Sequence, residues 1–221
     1  MGEYAPIPAR KPALPSPLRR VTDVVLAAAG LVALSPLLVA AMAAIRMTMG
    51  SPVLFRQPRS GLHGEEFTIV KLRTMRAERY PGEPDTERTP KLGHLLRATS
   101  LDELPQLVNV LRGEMSLIGP RPTLPEQVAR YGPHERRRLE IRPGLTGWAQ
   151  VNGRNSLTWP ERIELDLWYI DHRSLRLDLQ ILARTVKGLV RPFGVTGDGG
   201  VNPDFPGPDA DAGCGSGPEQ R

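Results

Sequence analysis

Apolar positions fall into three regimes along the chain. Between Val21 and Ile45 they are nearly continuous, interrupted chiefly by Thr22, Asp23, Ser35 and Pro36. As a helix this stretch covers about 37 Å, enough to cross a bilayer core of about 30 Å. Short β-rich runs follow at 53–57 and 66–70, and Gly61-Leu62-His63-Gly64 between them predicts a hairpin turn. Beyond Leu92 the spacing becomes helical, predicting helices over 92–99, over 102–111 (with Leu104, Leu107, Val108 and Leu111, closed by Gly113), over 125–139 and over 160–172. A last helix over 175–193 carries Leu179, Leu182, Val186, Leu189 and Val190 with Arg184, Lys187 and Arg191 among them. That basic amphipathic pattern suits a membrane surface and equally a packed core. Residues 76–90, with Pro81, Gly82, Pro84 and Pro90, read as a mobile loop, and 143–155 as a Gly-rich loop with an extended piece at 148–151.

The expected fold is α+β and mostly helical: a membrane helix, a small β-hairpin and a helical catalytic domain with amphipathic interfacial helices. The divisions are a disordered tail at 1–17, a membrane segment at 18–48, a catalytic domain at 49–193 and a second disordered tail at 194–221. Both tails are rich in Pro or Gly.

Three readings compete for the apolar segment. A signal peptide has a basic start and a short apolar stretch with a small-residue cleavage site; here the run is too long and ends in Ile45-Arg46-Met47. A spanning helix meets Pro36, which removes a backbone donor, and basic residues at both ends, which give no direction by the positive-inside rule. A re-entrant segment that turns near Ser35-Pro36 keeps both basic ends on one side, with Ser35 as a donor for the freed carbonyls. Asp23 is costly in an apolar helix unless it sits at the interface, and Arg20, one turn earlier, is its expected partner there. The residues alone leave spanning and re-entrant forms open.

Composition narrows little else. The 221 residues carry 29 basic and 24 acidic side chains, a net charge of +5 that suits an anionic partner. The single cysteine, Cys214, allows no intramolecular disulfide. The four histidines, His63, His94, His134 and His172, show no metal-ligand spacing.

The candidate chemistry centres on Ser100-Leu101-Asp102-Glu103. Locally this is a capping box, with acidic residues at the positive end of a helix. Its surroundings point further. Arg97 lies just upstream, Arg121 stands between two prolines, Arg154 sits between Gly153 and Asn155, and Lys71 leaves the second strand. Arginines suit bidentate recognition of phosphate oxygens, and carboxylates among arginines with a divalent metal suit phosphoryl transfer. Nucleic-acid hydrolysis needs similar groups and is not excluded by these residues.

Several strings carry a resemblance. They are Arg19-Arg20-Val21-Thr22-Asp23, Ser35-Pro36, Lys71-Leu72-Arg73-Thr74-Met75, and Thr99-Ser100-Leu101-Asp102-Glu103-Leu104-Pro105-Gln106-Leu107. Met115-Ser116-Leu117-Ile118-Gly119-Pro120-Arg121-Pro122 and the run Arg142-Pro143-Gly144-Leu145-Thr146-Gly147-Trp148-Ala149-Gln150-Val151-Asn152-Gly153-Arg154-Asn155 complete the set. Over residues 18–192 the chain resembles the small monotopic phosphoglycosyl transferases, the bacterial sugar transferases that act on a polyprenyl phosphate. Arg19 stands where lysine is common and Leu72 where an aromatic is common, and the resemblance is to the short form of the family.

The resemblance implies a re-entrant helix anchored by Arg20, Asp23, Ser35 and Pro36, in the bacterial cytoplasmic membrane with the catalytic face on the cytoplasmic side. It implies that Asp102 attacks a UDP-sugar, releases UMP and holds a phosphosugar until polyprenyl (undecaprenyl) phosphate takes it. Such a step initiates exopolysaccharide, capsule or glycoconjugate assembly. Glu103 is then a neighbouring base or metal-site partner, Asp102 also a Mg²⁺ ligand, and Lys71, Arg97, Arg121 and Arg154 hold phosphate oxygens. The expected partners are UDP-sugar, polyprenyl phosphate and membrane lipid, with no nucleic acid; a homodimer is left open. The competing class is a non-catalytic membrane-surface scaffold that binds anionic lipid or partner proteins.

Overall fold

A computed structural model describes residues 17–153, 156–190, 205 and 207, the side chains of 189 and 190 excepted. Arg154, Asn155, Cys214 and most of both expected tails lie outside the described residues.

Helix α1 runs from Pro17 to Met49, 33 residues, and by length and composition is apolar enough to cross a membrane. Val25, Val32, Leu37 and Val39 along it are exposed, so it is not the core helix of a soluble protein. Where the sequence predicts a break, the backbone stays helical through Ser35-Pro36. The reason is local: Pro36 cannot donate to the carbonyl of Val32, and the Ser35 hydroxyl does so instead at 2.8 Å. One lost bond is replaced, and the helix persists.

Both halves of α1 pack on the same globular part. Ala27 joins Ile69, Leu107, Val110 and Met115 in one apolar cluster, while Ala41 and Ile45 join Leu72 and Leu96 in another. Arg20 and Asp23 do not pair with each other as expected. The Arg20 guanidinium donates to the carbonyls of Val110 (2.6 Å) and Leu111 (2.8 Å), in the last turn of a short helix, α4 (Leu107–Arg112). Carbonyls at a helix end have capacity to spare (Val110 O accepts otherwise from the Gly113 amide at 3.1 Å), and a cation at the negative end of the dipole is favourable. Asp23 accepts from the Ser116 hydroxyl (2.8 Å) and the Leu117 amide (3.0 Å). Arg19 pairs with Asp178 at 3.0 Å. These charges tie the apolar helix to the domain rather than to one another.

Strands β1 (Leu54–Ser60) and β2 (Glu66–Leu72) form the expected antiparallel hairpin, with Leu54 opposite Leu72 and Ser60 opposite Glu66. Its turn places His63 and Gly64 at φ of 56° and 84°. The expected mobile loop instead contains a short helix, α2 (Asp85–Arg88), and internal ion pairs: Arg76 with Glu83, and Arg88 with Glu78 at 2.9 Å. Helix α3 (Lys91–Ala98) follows as expected.

Three further elements differ from the sequence pattern. The helix expected over 102–111 is a 3₁₀ turn at Leu101–Gln106 that contains Pro105 and passes into α4. The one expected over 125–139 is broken at Gly132-Pro133 into α5 (Pro125–Ala129), α6 (Pro133–Arg136) and a 3₁₀ turn. The extended piece lies four residues earlier than expected, at β4 (Gly144–Thr146), parallel to β3 (Ser116–Ile118); residues 148–152 form helix α7 (Trp148–Asn152) instead. Helices α8 (Trp159–His172) and α9 (Leu175–Val190) are the last among the described residues. A true capping box opens α8, where Thr158 and Glu161 bond each other's backbone amides.

On α9, Leu177 and Ile181 enter the largest apolar cluster, while Leu175, Leu179 and Val186 are exposed. Phe205, inside the segment expected to be a disordered tail, is buried in that same cluster.

Candidate active site

Asp102 and Glu103 sit in the first turn of the 3₁₀ segment, between α3 and α4. Its entry is not the capping box that the sequence suggests. Ser100 is left-handed at φ 56° and its side chain makes no cap. Glu103 points away from the backbone and into a charged clamp. Lys71 Nζ, on β2, donates to Glu103 Oε1 at 2.7 Å; Arg121 donates to Oε1 at 2.6 Å and to Oε2 at 3.4 Å.

The two adjacent carboxyls therefore differ in environment. Burial would raise Glu103, but Arg121 and Lys71 outweigh it and hold the group well below the usual carboxylate range. Such a carboxylate is a weak base and a strong anchor. Asp102 accepts no hydrogen bond among the described residues. Burial first, and the Glu103 charge second, push it up to about 6, against the pull of Lys71, Arg121 and Arg97. It stays largely ionised at neutral pH, its oxygens without a hydrogen bond among the described residues.

The backbone around the pair is tightly built. Arg121 leaves a turn held by the parallel strand pair, with the Gly119 amide on Thr146 O (2.9 Å) and the Gly144 amide on Pro120 O (2.8 Å). A Cβ on Gly144 would lie 2.0 Å from Gly119 N, and one on Gly147 would lie 2.2 Å from Gly119 O. Only glycine lets these backbones meet. Arg97, at the end of α3, donates Nε to Thr74 Oγ1 at 3.0 Å. A Cβ on Gly93 would lie 2.0 Å from Thr74 O, so α3 presses directly on the segment that orients Arg97.

A cleft of about 1230 Å³ opens over these groups. Lys71, Arg97, Asp102, Glu103 and Arg121 line it, and so does Leu34 of α1, next to Ser35-Pro36. Cationic side chains and an apolar surface of the membrane-type helix thus share one space. Among the described residues no group of three or more His, Cys, Asp or Glu gathers as a metal site. The structure brings Lys71, Arg97, Asp102, Glu103 and Arg121 together; Arg154 lies outside the described residues. Arg20, Asp23, Ser35 and Pro36 are on α1, with the partners given above.

Sequence reasoning missed three supports. Asn109, fully buried in α4, donates to Thr68 O at 2.8 Å and to Glu114 at 2.7 Å, and accepts from the Val70 amide at 3.4 Å, fixing the strand that carries Lys71. Its signal was a lone amide within Leu107-Val108-Asn109-Val110-Leu111. Arg138 and Asp166, buried together at 2.7 Å, lie behind Arg121, and the Arg138 guanidinium donates to Arg121 O at 3.3 Å. Arg59 stands near Arg121 and is drawn down to about 10, by burial first and by Arg121 second.

The family described as bacterial sugar transferase matches residues 14–192. A Bacillus subtilis protein, "Uncharacterized sugar transferase EpsL", is 46% identical over 181 residues, covering 80% of this chain and 90% of its own. A Caulobacter vibrioides protein named UDP-glucose:undecaprenyl-phosphate glucose-1-phosphate transferase is 46% identical over 195 residues, covering 78% of this chain and 69% of its own. The exopolysaccharide production protein ExoY of Sinorhizobium fredii is 35% identical over 188 residues, covering 76% and 83%.

Proposed function

Since the chain belongs to the bacterial sugar transferase family, we propose that it moves a sugar 1-phosphate from a UDP-sugar to a polyprenyl phosphate, with Asp102 as the nucleophile. The carrying observation is the asymmetry of the pair: Glu103 is clamped by Lys71 and Arg121, while Asp102 is buried beside it with no hydrogen bond among the described residues. A nucleophile needs free lone pairs, and a carboxylate can form an acyl phosphate. An Asp102 oxygen attacks the sugar-linked phosphorus; the bond to the bridging diphosphate oxygen breaks, and UMP leaves with that electron pair. An oxygen of the polyprenyl phosphate then attacks the same phosphorus, freeing Asp102 and giving a polyprenyl-diphosphate sugar.

Each neighbour has a role in this reading. Arg121 and Lys71 supply positive charge where phosphate oxygens gather, and Glu103 sets their positions. Arg97 faces the same cleft with both Nη groups free of hydrogen bonds among the described residues. Leu34 supplies an apolar wall where a lipid-linked phosphate approaches from the membrane. A carboxylate beside phosphate oxygens fits Mg²⁺, which takes one or two carboxylates plus phosphates; with Glu103 committed to its cations, Asp102 would be the protein ligand. When bound, the metal neutralises diphosphate charge.

The topology we propose is re-entrant, with α1 bent at Pro36 rather than broken there and the protein on one face of the membrane. Contacts from both halves of α1 to the same domain support it, since the two ends then share one side. We expect the cytoplasmic side, where the nucleotide-sugar is found. In a Cys214→Ser background, single cysteines placed at Leu18 and Thr48 should both react with a membrane-impermeant maleimide only after the cell is opened. Reaction of one end in intact cells would exclude the re-entrant form.

The activity test uses purified protein, Mg²⁺, polyprenyl phosphate and a panel of UDP-sugars. Release of UMP dependent on one of them is expected, together with a phosphosugar trapped on Asp102 when the lipid is withheld. Absence of UMP with every donor would sink the reading; a label on another residue would sink the covalent mechanism alone.

A further inference from the structure

Phe205 lies beyond residue 192, where the family match ends, in a stretch whose composition predicts a tail. It is nevertheless only 3% exposed. Its ring meets Tyr131 edge-on, with centroids 5.1 Å apart and planes at 87°, and meets Trp159 at 5.2 Å and 65°. Such edge contacts favour particular geometries and add to the burial of an aromatic ring. Two residues on, Gly207 has φ of 103°, with nothing within 4 Å of where a Cβ would be. A side chain there would strain the backbone without touching anything.

The ring covers the back of the arginine cluster behind the active site. The Arg138 guanidinium lies over both rings that Phe205 touches, 5.7 Å from the Tyr131 centroid and 5.9 Å from that of Trp159. Arg138 donates to the Tyr131 hydroxyl, to Asp166 and to the carbonyl of Arg121, and the Tyr131 hydroxyl donates to Thr123 Oγ1 at 3.2 Å. The segment carrying Arg121 is therefore suspended from two side chains that form part of this aromatic and cationic stack. Arg162, which lines the cleft, lies 4.9 Å over the Trp159 ring. Two arginines of the cleft thus trace back to one aromatic pair, and Phe205 closes that pair against water. Excluding water strengthens the charged contacts inside and holds them in one arrangement.

We infer that Phe205 is a positioning residue: its ring docks in cis behind the site and keeps Arg121 and Arg162 in the geometry that binds the anionic donor. The kinetic readout rests on the transferase reading; the structural readout does not. In the full-length chain, Phe205→Ala should speed amide hydrogen exchange across residues 119–124 by roughly tenfold, and raise KM for the UDP-sugar by about tenfold with kcat within about threefold. Phe205→Leu, which keeps apolar volume, should restore most of both. Gly207→Ala, which disturbs only the chain path, should shift both in the same direction by less, and it carries the test with Phe205→Leu if Phe205→Ala does not fold. If the melting temperature falls while exchange at 119–124 and KM stay at wild-type values, Phe205 is a stabilising residue alone and the inference is overturned. If wild-type protein releases UMP from no UDP-sugar, the transferase reading fails instead, and the exchange measurement alone decides the role of Phe205.

Discussion

Asp102→Asn is expected to reduce UMP release by at least about 10⁴-fold, because a nucleophile is removed rather than a binding contact. The same substitution should make the protein more stable. Burial and Glu103 raise the folded-state carboxyl to about 6, whereas an unfolded chain holds it near ~3.9. Between those values the folded state binds more protons than the unfolded one, so stability falls as pH rises through that window. Above about 6 the full deficit is present, on the order of 2–3 kcal/mol at neutral pH. Asparagine carries no charge to bury and removes the deficit. Denaturation midpoints at pH 7 and at pH 4 separate the effects: the gain of the variant over wild type should be large at pH 7 and nearly gone at pH 4. The wild-type rate should rise through an apparent pKa near 6, a value that belongs to the Asp102–Glu103 pair. A variant that is inactive yet less stable at pH 7 would contradict this account of the site.

The largest loss of stability should come from behind the site. Arg138 and Asp166 are 3% and 1% exposed and bonded to each other. Arg138→Met leaves Asp166 a buried charge without its hydrogen-bonded partner, with only the more distant pull of Arg162, for an expected cost of about 3–5 kcal/mol. Adding Asp166→Leu should recover much of that loss, since replacing a buried pair with apolar groups is often neutral. Activity should not recover in the double variant, because the Arg121 carbonyl still lacks its donor. Chemical denaturation of the single and double variants checks the first statement, and UMP release checks the second. Equal destabilisation of both variants would mean that the loss comes from the other contacts of Arg138, to Tyr131 and the Arg121 carbonyl, and not from the orphaned Asp166 charge.

The long helix, the hairpin and the later helices were legible because their apolar periods are regular. What failed was local pattern read without its tertiary partners. Ser100 and Glu103 have the spacing of a capping box, but Glu103 gains more from Lys71 and Arg121 than a backbone amide can offer, and Ser100 turns left-handed. Arg20 and Asp23 have the spacing of an ion pair, but the last carbonyls of α4 and the Leu117 amide of β3 compete for them. Pro36 reads as a break until the Ser35 hydroxyl is seen to take over its bond. Within the site, Asp102, Glu103, Lys71, Arg97 and Arg121 could be named from the sequence, but their unequal environments could not. That difference is made by burial and by cations from distant strands and turns. Phe205 was hidden by its neighbours, since a single aromatic among Pro, Gly and Asp carries no period.

The crossing of Gly119, Gly144 and Gly147 bears on how this cleft can change. A methyl group at any of the three would come within 2.5 Å of another backbone atom, so the backbone crossing that supports Leu145 and Thr146 in the wall admits no side chain. Met75, Thr99 and Leu124 also line the cleft and carry side chains that can be exchanged one at a time. A mutant library intended to alter donor choice would do best to vary those positions and keep the three glycines constant. Diversity placed at the glycines would yield mostly unfolded clones, and a screen would then report on folding rather than on selectivity.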